Sequence, residues 1–208
     1  MNTKSIFFSF LVLSSIHFSS CRSGIYGPTK VEGIVIDATT GDPIYDAQVY
    51  LLEAKLTGEI FGPPPAWYGI DSIQTGAFGR FEFGYDNREG YTYSVYAYKY
   101  NYFENVAPEQ IIEENGHQNL EIEIFPIAYL TMRIHNINDY DEWDYLVVND
   151  LYESFYGNSI DTSITIDVYG NTSETITWFV NNDGVFSTAF NYEIYCPPFD
   201  TTFFEILY

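Results

Sequence analysis

Hydrophobic and polar residues alternate with a period of two along most of the chain from Val31 onward, which is the pattern of half-buried β-strands. Strands are predicted over residues 31–37 and 46–56, and a cluster of turn residues separates them at positions 40–43. Residues 120–124 place three aliphatic side chains on one face and two acids on the other. Residues 31–126 are therefore predicted to form an antiparallel β-sandwich of roughly seven strands.

The second half of the chain has the same alternation. Strands are predicted within residues 129–134, 145–148, 164–168, 175–180, 185–195 and 203–208. Gly170-Asn171 is predicted to form a turn, and Asn182-Asp183-Gly184 a hairpin. Residues 127–208 are therefore predicted to form a second antiparallel sandwich of roughly six or seven strands, with its boundary near Pro126.

One segment departs from this pattern. Residues 108–115 begin with Pro108 and are followed by Gly116, which is the punctuation of a short helix. A polar loop is the alternative for this segment.

The N-terminus has the features of a secretion signal. Lys4 precedes an apolar run that is shorter than the ~20 residues needed to span a membrane. Small Ser19 and Ser20 stand before Cys21, and this end resembles the lipobox of bacterial lipoproteins, although Phe18 stands where that motif more often has Leu. The resemblance implies a signal peptide over residues 1–20, lipidation of the Cys21 thiol by diacylglycerol, and a lipidated tether over residues 21–30. An ordinary secretory signal that leaves Cys21 as a free thiol is the alternative.

The first half also resembles a known domain family through several fixed offsets that recur together. The motifs are Val31-x-Gly33-x-Val35-x-Asp37, Thr40-Gly41-Asp42-Pro43-Ile44, Ala47-x-Val49-x-Leu51, Gly76-x-x-Gly79-x-Phe81-x-Phe83 and Tyr93-x-Val95-x-Ala97. They look like the carboxypeptidase regulatory-like domain, which implies an Ig-like, transthyretin-like β-sandwich over residues 31–126. Gly41 and Gly79 suit turns, so the match predicts a fold and not a reaction. The predicted fold class is all-β, with two tandem antiparallel Ig-like or transthyretin-like β-sandwiches behind a lipoprotein signal peptide.

Composition narrows the range of partners. The chain has 29 Asp and Glu against 8 Lys and Arg, and its net charge is −21. Removal of residues 1–20 deletes Lys4 and no acid, which gives a mature charge of −22. Such a chain repels polyanions, so binding to nucleic acid is not expected.

The sequence offers few groups for catalysis. The mature chain has two histidines, His117 and His135, and neither belongs to a zinc-binding motif. It has no Gly-x-Ser-x-Gly elbow and no phosphate-binding glycine loop. With Cys21 lipidated, Cys196 has no intramolecular partner and is predicted to be buried and inert. We therefore expect no enzyme activity and no resident cofactor.

Two segments are candidates for binding. The proline-stiffened residues 61–69 form a predicted loop that presents Trp67 and Tyr68 to a partner or a sugar, although Trp67 could instead cap the sandwich. The acidic residues Asp139, Asp141 and Asp144 supply oxygen ligands of the kind that Ca²⁺ prefers. Their spacing does not match the EF-hand loop, so a solvated acidic connector is the alternative.

These features predict a non-catalytic lipoprotein of the cell envelope that acts as a structural or protein-interaction module. We expect it to be anchored to the outer membrane through its N-terminal lipid, facing the periplasm, with an envelope protein or a glycan as its partner. The second hypothesis is a glycan-binding accessory lipoprotein that uses Trp67, Tyr68 and neighbouring tyrosines. The oligomeric state stays open.

Overall fold

The structure, a computed structural model, describes residues 27–56, 64–103, 110–112, 118–138, 141–151, 153–157 and 159–208. The predicted signal peptide and Cys21 lie outside these ranges. Within them the regular elements are strands and two short 3₁₀ turns, Ala77–Gly79 and Asn149–Leu151. In this described part, no helix is long and apolar enough to cross a bilayer.

The first unit is a sandwich of two sheets. Its strands are β1 (Gly27–Asp37), β2 (Gln48–Lys55), β3 (Trp67–Gln74), β4 (Arg80–Asn87), β5 (Tyr91–Tyr98), β6 (Gln110–Ile112) and β7 (Gln118–Ile124). One sheet has the order β4-β1-β7, and the other has the order β3-β2-β5-β6. Val35, Leu51, Val95 and Ile122 are buried between them, on the faces that the alternation predicted.

The second unit is also a two-sheet sandwich. Its strands are β8 (Ile127–His135), β9 (Tyr145–Val148), β10 (Glu153–Tyr156), β11 (Asp161–Tyr169), β12 (Thr172–Asn182), β13 (Val185–Phe186), β14 (Phe190–Cys196) and β15 (Thr201–Leu207). One sheet has the order β11-β8-β15, and the other has the order β10-β9-β12, with both β13 and β14 paired to β12. Leu130, Met132, Leu146 and Ile206 form the centre of its core.

Both units have the same topology. Strand β1 lies between antiparallel β4 and parallel β7, and β8 lies in the same way between antiparallel β11 and parallel β15. In the facing sheets β2 pairs with β3 and β5, and β9 pairs with β10 and β12. The predicted class of two tandem β-sandwiches is confirmed. The prediction of antiparallel pairing throughout is wrong for β1–β7 and β8–β15, since the chain enters each unit at one end and leaves it at the other.

Two predicted turns connect different sheets. Gly41 has a φ of 75°, as the turn at residues 40–43 requires, but β1 and β2 belong to different sheets. Ile36 and Pro43 form a single bridge, and Pro43 has no N–H with which to extend that pairing. Gly170-Asn171 likewise leads from β11 in one sheet to β12 in the other. In contrast, Asp183 and Gly184 form the predicted hairpin turn between β12 and β13, with φ values of 51° and 80°.

The segment with helical punctuation contains a strand. Gln110–Ile112 forms β6, which pairs antiparallel with β5 at the edge of its sheet. Burial of Ile112 in the first core favours this pairing over a short helix. Both the helix and the polar loop are therefore wrong for these three residues, while the rest of the segment lies outside the described residues.

A short junction joins the two units. Only Phe125 and Pro126 separate β7 from β8. The Ile127 amide donates to the Asn101 carbonyl at 2.8 Å, and the Gly170 amide donates to the Pro126 carbonyl at 2.7 Å. Gly170 must stay a glycine, because an added Cβ would lie 2.7 Å from Cα of Pro198.

Side chains extend the junction on both sides. The Tyr102 and Phe199 rings meet edge to face, with their centroids 5.3 Å apart. Asn171 Nδ2 donates to Thr39 Oγ1 at 3.1 Å. Asn171 and Phe199 have φ values of 61° and 63°, a left-handed conformation that is costly for a phenylalanine. The ring contact and the side-chain hydrogen bond join the first unit to the second across the junction.

The ends of the described chain lie at opposite ends of the tandem. Gly27 pairs with Asn87 at the start of β1, and Asp37 ends that strand beside the junction. Strand β8 begins at the junction, and β15 runs parallel to it until Leu207 stands opposite His135. We call the Gly27 end proximal and the Leu207 end distal. At ~3.3 Å per residue, each of β1 and β8 spans about 30 Å.

A tyrosine on the first unit's side of the junction has a perturbed pKa. Tyr102 OH donates to Asp37 Oδ2 at 3.2 Å, and Asp37 also accepts the Thr39 amide at 2.8 Å. Burial of the phenol, and then the negative charge of Asp37 nearby, raise the pKa of Tyr102 to about 12. Burial raises the pKa of Tyr85 to about 12 as well.

We expect the melting temperature to fall between pH 10 and pH 12. A tyrosine pKa that folding raises from 10 to about 12 contributes stability that is complete below pH 10 and is lost as the pH rises through 12. Tyr102→Phe should make that fall shallower, and Tyr100→Phe, an exposed neighbour, should leave it unchanged. Melting curves followed by circular dichroism at several pH values test this, and an identical slope in the wild type and Tyr102→Phe would contradict it.

Candidate functional site

Trp67 and Tyr68 do not lie in a loop. They are the first two residues of β3, an edge strand, so the predicted loop over residues 61–69 is wrong for these two residues. Trp67 pairs with Ala54 and Tyr68 pairs with Glu53 on β2. Since consecutive side chains of a strand point to opposite faces, Trp67 and Tyr68 do not form one surface.

Trp67 shares the outer face of its sheet with a tyrosine pair. Tyr50 and Tyr96 stack on that face with their centroids 4.8 Å apart and their planes 9° apart. Trp67 is half-buried, and its partner Ala54 is four residues from Tyr50, which is about 13 Å along β2. This outer face is a candidate surface for stacking against a flat ligand.

The predicted metal ligands lie in the distal loops. Asp139 is outside the described residues. Asp144 is buried, and its Oδ2 accepts the Asp141 amide at 3.0 Å while its Oδ1 accepts the Asp183 amide at 2.8 Å. The Asp144 carbonyl accepts the Gly157 amide at 3.0 Å. Asp144 therefore fastens three distal loops together.

Asp141 has a similar local role. Its Oδ1 accepts the Trp143 amide at 2.7 Å and the Asp144 amide at 3.2 Å, which is an Asx turn. Among the described residues, no group of three or more His, Cys, Asp or Glu side chains is placed to hold a metal ion. The structure thus gives Asp141 and Asp144 backbone partners, and calcium binding by Asp139, Asp141 and Asp144 stays a prediction.

Sequence reasoning missed an aromatic cluster near these distal loops. The Tyr145 ring lies 4.7 Å from that of Tyr156 and 5.9 Å from that of Phe186, measured between centroids. The three residues belong to β9, β10 and β13, and we call them the distal patch. Tyr156 is 59% exposed and Phe186 is 54% exposed. No sequence signal marks the patch, because its members are distant in the chain and meet only through strand pairing.

The Cys196 thiol and the His135 imidazole both lie apart from this patch. Cys196 is fully buried at the end of β14, and burial raises the pKa of its thiol, so its reactive thiolate form is disfavoured. His135 ends β8, where its Nδ1 lies 3.4 Å from Asp161 Oδ1. Cys196 lies near the junction and His135 at the distal end, so these two residues do not form a nucleophile and base pair. His117 lies outside the described residues.

Comparisons with known proteins give no family for this chain. No family model and no curated protein matches it. Among solved structures, it is similar to the TIE protein of Bacillus anthracis with a TM-score of 0.38 and 12% identity, over 87% of this chain and 34% of that one. It is also similar to the shaft pilin SpaA of Lactobacillus rhamnosus GG, with a TM-score of 0.36 and 9% identity over 88% and 97% of the two chains.

A third similar structure is GBS52, the minor pilin of Streptococcus agalactiae, with a TM-score of 0.36 and 9% identity over 86% and 94% of the two chains. This chain spans about a third of the length of the TIE chain. Likeness at such TM-scores and identities decides nothing about activity or partners.

Proposed function

We propose that this chain is a non-catalytic lipoprotein of the cell envelope whose two stacked β-sandwiches act as a structural and protein-interaction module. The observation that carries the proposal is the end-to-end arrangement of the two units. Gly27, six residues after Cys21, lies at the proximal end, while the exposed distal patch lies in the unit beyond the junction. An anchor at Cys21 would hold the second unit away from the membrane.

The short junction supports a structural role. A two-residue connection, backbone hydrogen bonds and the ring contact of Tyr102 with Phe199 would together limit bending between the units. A flexible tandem would instead have a longer linker rich in glycine or serine. The module therefore suits the task of holding its distal end at a fixed distance from its anchor.

In the secretory alternative the Cys21 thiol is free and Cys196 is its one possible disulfide partner in the chain, but the geometry disfavours that disulfide. Cys196 pairs with Thr172 near the junction, about 30 Å from Gly27 along β1. Six residues extend at most about 20 Å. A disulfide between the two cysteines would therefore require the start of β1 to detach from β4, whereas lipidation of Cys21 requires no change in the unit.

The motif residues of the first unit have structural roles that fit a carboxypeptidase regulatory-like domain. Gly33 leaves room for the Phe81 ring, and Gly79 turns the chain with a φ of 67°. Asp37 accepts hydrogen bonds from the turn that follows β1. We propose membership of that family on these roles, and an outer-membrane anchor facing the periplasm on the lipobox.

Intact mass of the protein purified from membranes tests the anchor. We expect a mass that fits residues 21–208 plus acyl chains, and complete loss of membrane association in Cys21→Ala. Cys196→Ala is the matched control, since it removes a buried thiol and leaves the lipobox unchanged. An unlipidated Cys21 in the wild-type protein would refute the anchored module.

The alternative function is glycan binding by an accessory lipoprotein. The presence of Trp67 on the same face as the stacked Tyr50 and Tyr96 favours it, because aromatic rings suit contact with sugar rings. A glycan array of wild type, Trp67→Ala and Tyr68→Ala would decide. Loss of a bound glycan in Trp67→Ala alone would support this alternative, since Tyr68 points to the opposite face, and an array without binding would reject it.

A further inference from the structure

The distal patch is an outward-facing surface of the second unit. Tyr145 pairs with Tyr156 on one side and with Asn181 on the other, and Asn181 in turn pairs with Phe186. Paired residues of neighbouring strands point to the same face, so the three rings lie together. The neighbouring Leu146 points into the core, which places the patch on the solvent side.

Nearby loops are fixed in place. The two carboxylate oxygens of Asp144 hold the turn before Tyr145 and the Asp183 turn that precedes β13. Trp143, which is 75% exposed, stands in the first of these turns. Rings on an ordered framework lose little entropy on binding, so they suit recognition.

The negative charge of the second unit favours a basic partner. Residues 127–208 contain thirteen Asp and Glu and a single basic residue of the Lys or Arg type, Arg133. Both ends of the Arg133 guanidinium are occupied, by Asp161 and by Glu205, each at 2.9 Å. Glu142 and Asp183 lie in the loops that adjoin the patch. A second copy of this acidic chain or an anionic lipid would be repelled, while a basic partner would be attracted.

The first unit shows the same chemistry within the chain. The Arg88 guanidinium lies 4.1 Å from the centre of the Tyr91 ring and forms an ion pair with Glu53. An aromatic face beside a carboxylate is thus already a site for a cation in this protein. The distal patch offers aromatic rings close to the acidic loops of Glu142 and Asp183, and the one Lys or Arg of its unit, Arg133, is already paired with Asp161 and Glu205.

We infer that the distal patch binds a Lys- or Arg-bearing segment of a partner protein. This inference rests on the proposed function, in which the patch is the part of the module held away from the anchor. The cationic heads would lie over Tyr145, Tyr156 and Phe186, and the surrounding acids would supply attraction over a longer range.

Calorimetric titration of the detergent-solubilised full chain with a synthetic nona-arginine peptide tests this. We expect binding that Tyr156→Ser combined with Phe186→Ser weakens by roughly tenfold, the loss of two cation–π contacts. The control combines Phe203→Ser and Leu207→Ser, which remove exposed apolar side chains from β15 and leave all charges in place. Circular dichroism confirms that both variants fold.

Three results of this titration would overturn the inference: absence of binding, equal weakening in both double variants, or no weakening in either. The last two would mean that the peptide binds through the overall negative charge of the chain and not through the distal patch. Tighter binding of a neutral oligosaccharide than of the peptide at the patch would overturn it too. The titration does not depend on lipidation, so its failure is distinct from failure of the anchored module in the mass measurement.

Discussion

Gly33→Ala should destabilise the first unit by about 3 kcal/mol, at the upper end of what overpacking a core costs. Gly33 lies in the middle of β1 and pairs with Phe81 on β4 and Leu120 on β7. An added Cβ would lie 2.6 Å from Cζ of Phe81 and would also meet the carbonyl oxygen of Leu120. Backbone hydrogen-bonded on both sides cannot shift to relieve that contact. Denaturant unfolding followed by circular dichroism measures the change.

Gly84→Ala is the matched control for this prediction. Gly84 lies in the neighbouring strand β4, and an added Cβ there would have nothing within 4 Å. Alanine at an open strand position should be neutral or slightly stabilising. Equal stability of Gly33→Ala and Gly84→Ala would show that β1 does not pack against Phe81 as described.

Asp144→Ala should have the second large effect, a loss of about 3 kcal/mol from the second unit. The substitution leaves the Asp141 and Asp183 amides without their acceptors. Hydrogen bonds to a charged group contribute roughly 1.5–3 kcal/mol each. Faster hydrogen exchange at the Asp141 and Asp183 amides, measured by NMR, should accompany the loss.

Glu142→Ala controls for the charge and the loop. Glu142 is exposed in the same turn, and its substitution by alanine also removes one negative charge. It should change stability by less than about 0.5 kcal/mol, as for an ordinary surface position. If Asp144→Ala were no worse than Glu142→Ala, Asp144 would not be the residue that fastens the distal loops.

The strands that sequence analysis identified are those that bury one face. In β1 and β8 buried residues alternate with mostly half-buried ones, and this difference in burial gives the sequence a period of two. Strands β3, β6 and β10 were missed because few of their residues face a core: β3 and β10 have no buried residue, and β6 has one, Ile112. In β3 every residue except Trp67 is exposed, and no core constrains its pattern. The parallel direction of β1 and β7 could not be predicted from the local sequence pattern either, because five other strands lie between these two partners in the chain.

The candidate sites show the same limit. The local sequence showed that many oxygen-bearing side chains surround Asp141 and Asp144. It did not show what these two carboxylates bind, which are backbone amides of their own loop and of the Asp183 turn. Trp67 and Tyr68 were grouped because they are adjacent in sequence, and the pleat of β3 separates them. The rings of the distal patch come together only through pairing of β9 with β10 and of β12 with β9 and β13.

The parallel pairing of β1 with β7 has a mechanical consequence. Tension between a membrane anchor and the second unit would enter at the start of β1 and leave from the end of β7, pulling these two adjacent strands in opposite directions along their length. The hydrogen bonds between them, which run across seven register pairs, would then carry the load together in shear and would not open one after another as in an unzipped hairpin. The first unit would resist extension along the direction in which an anchored module is pulled.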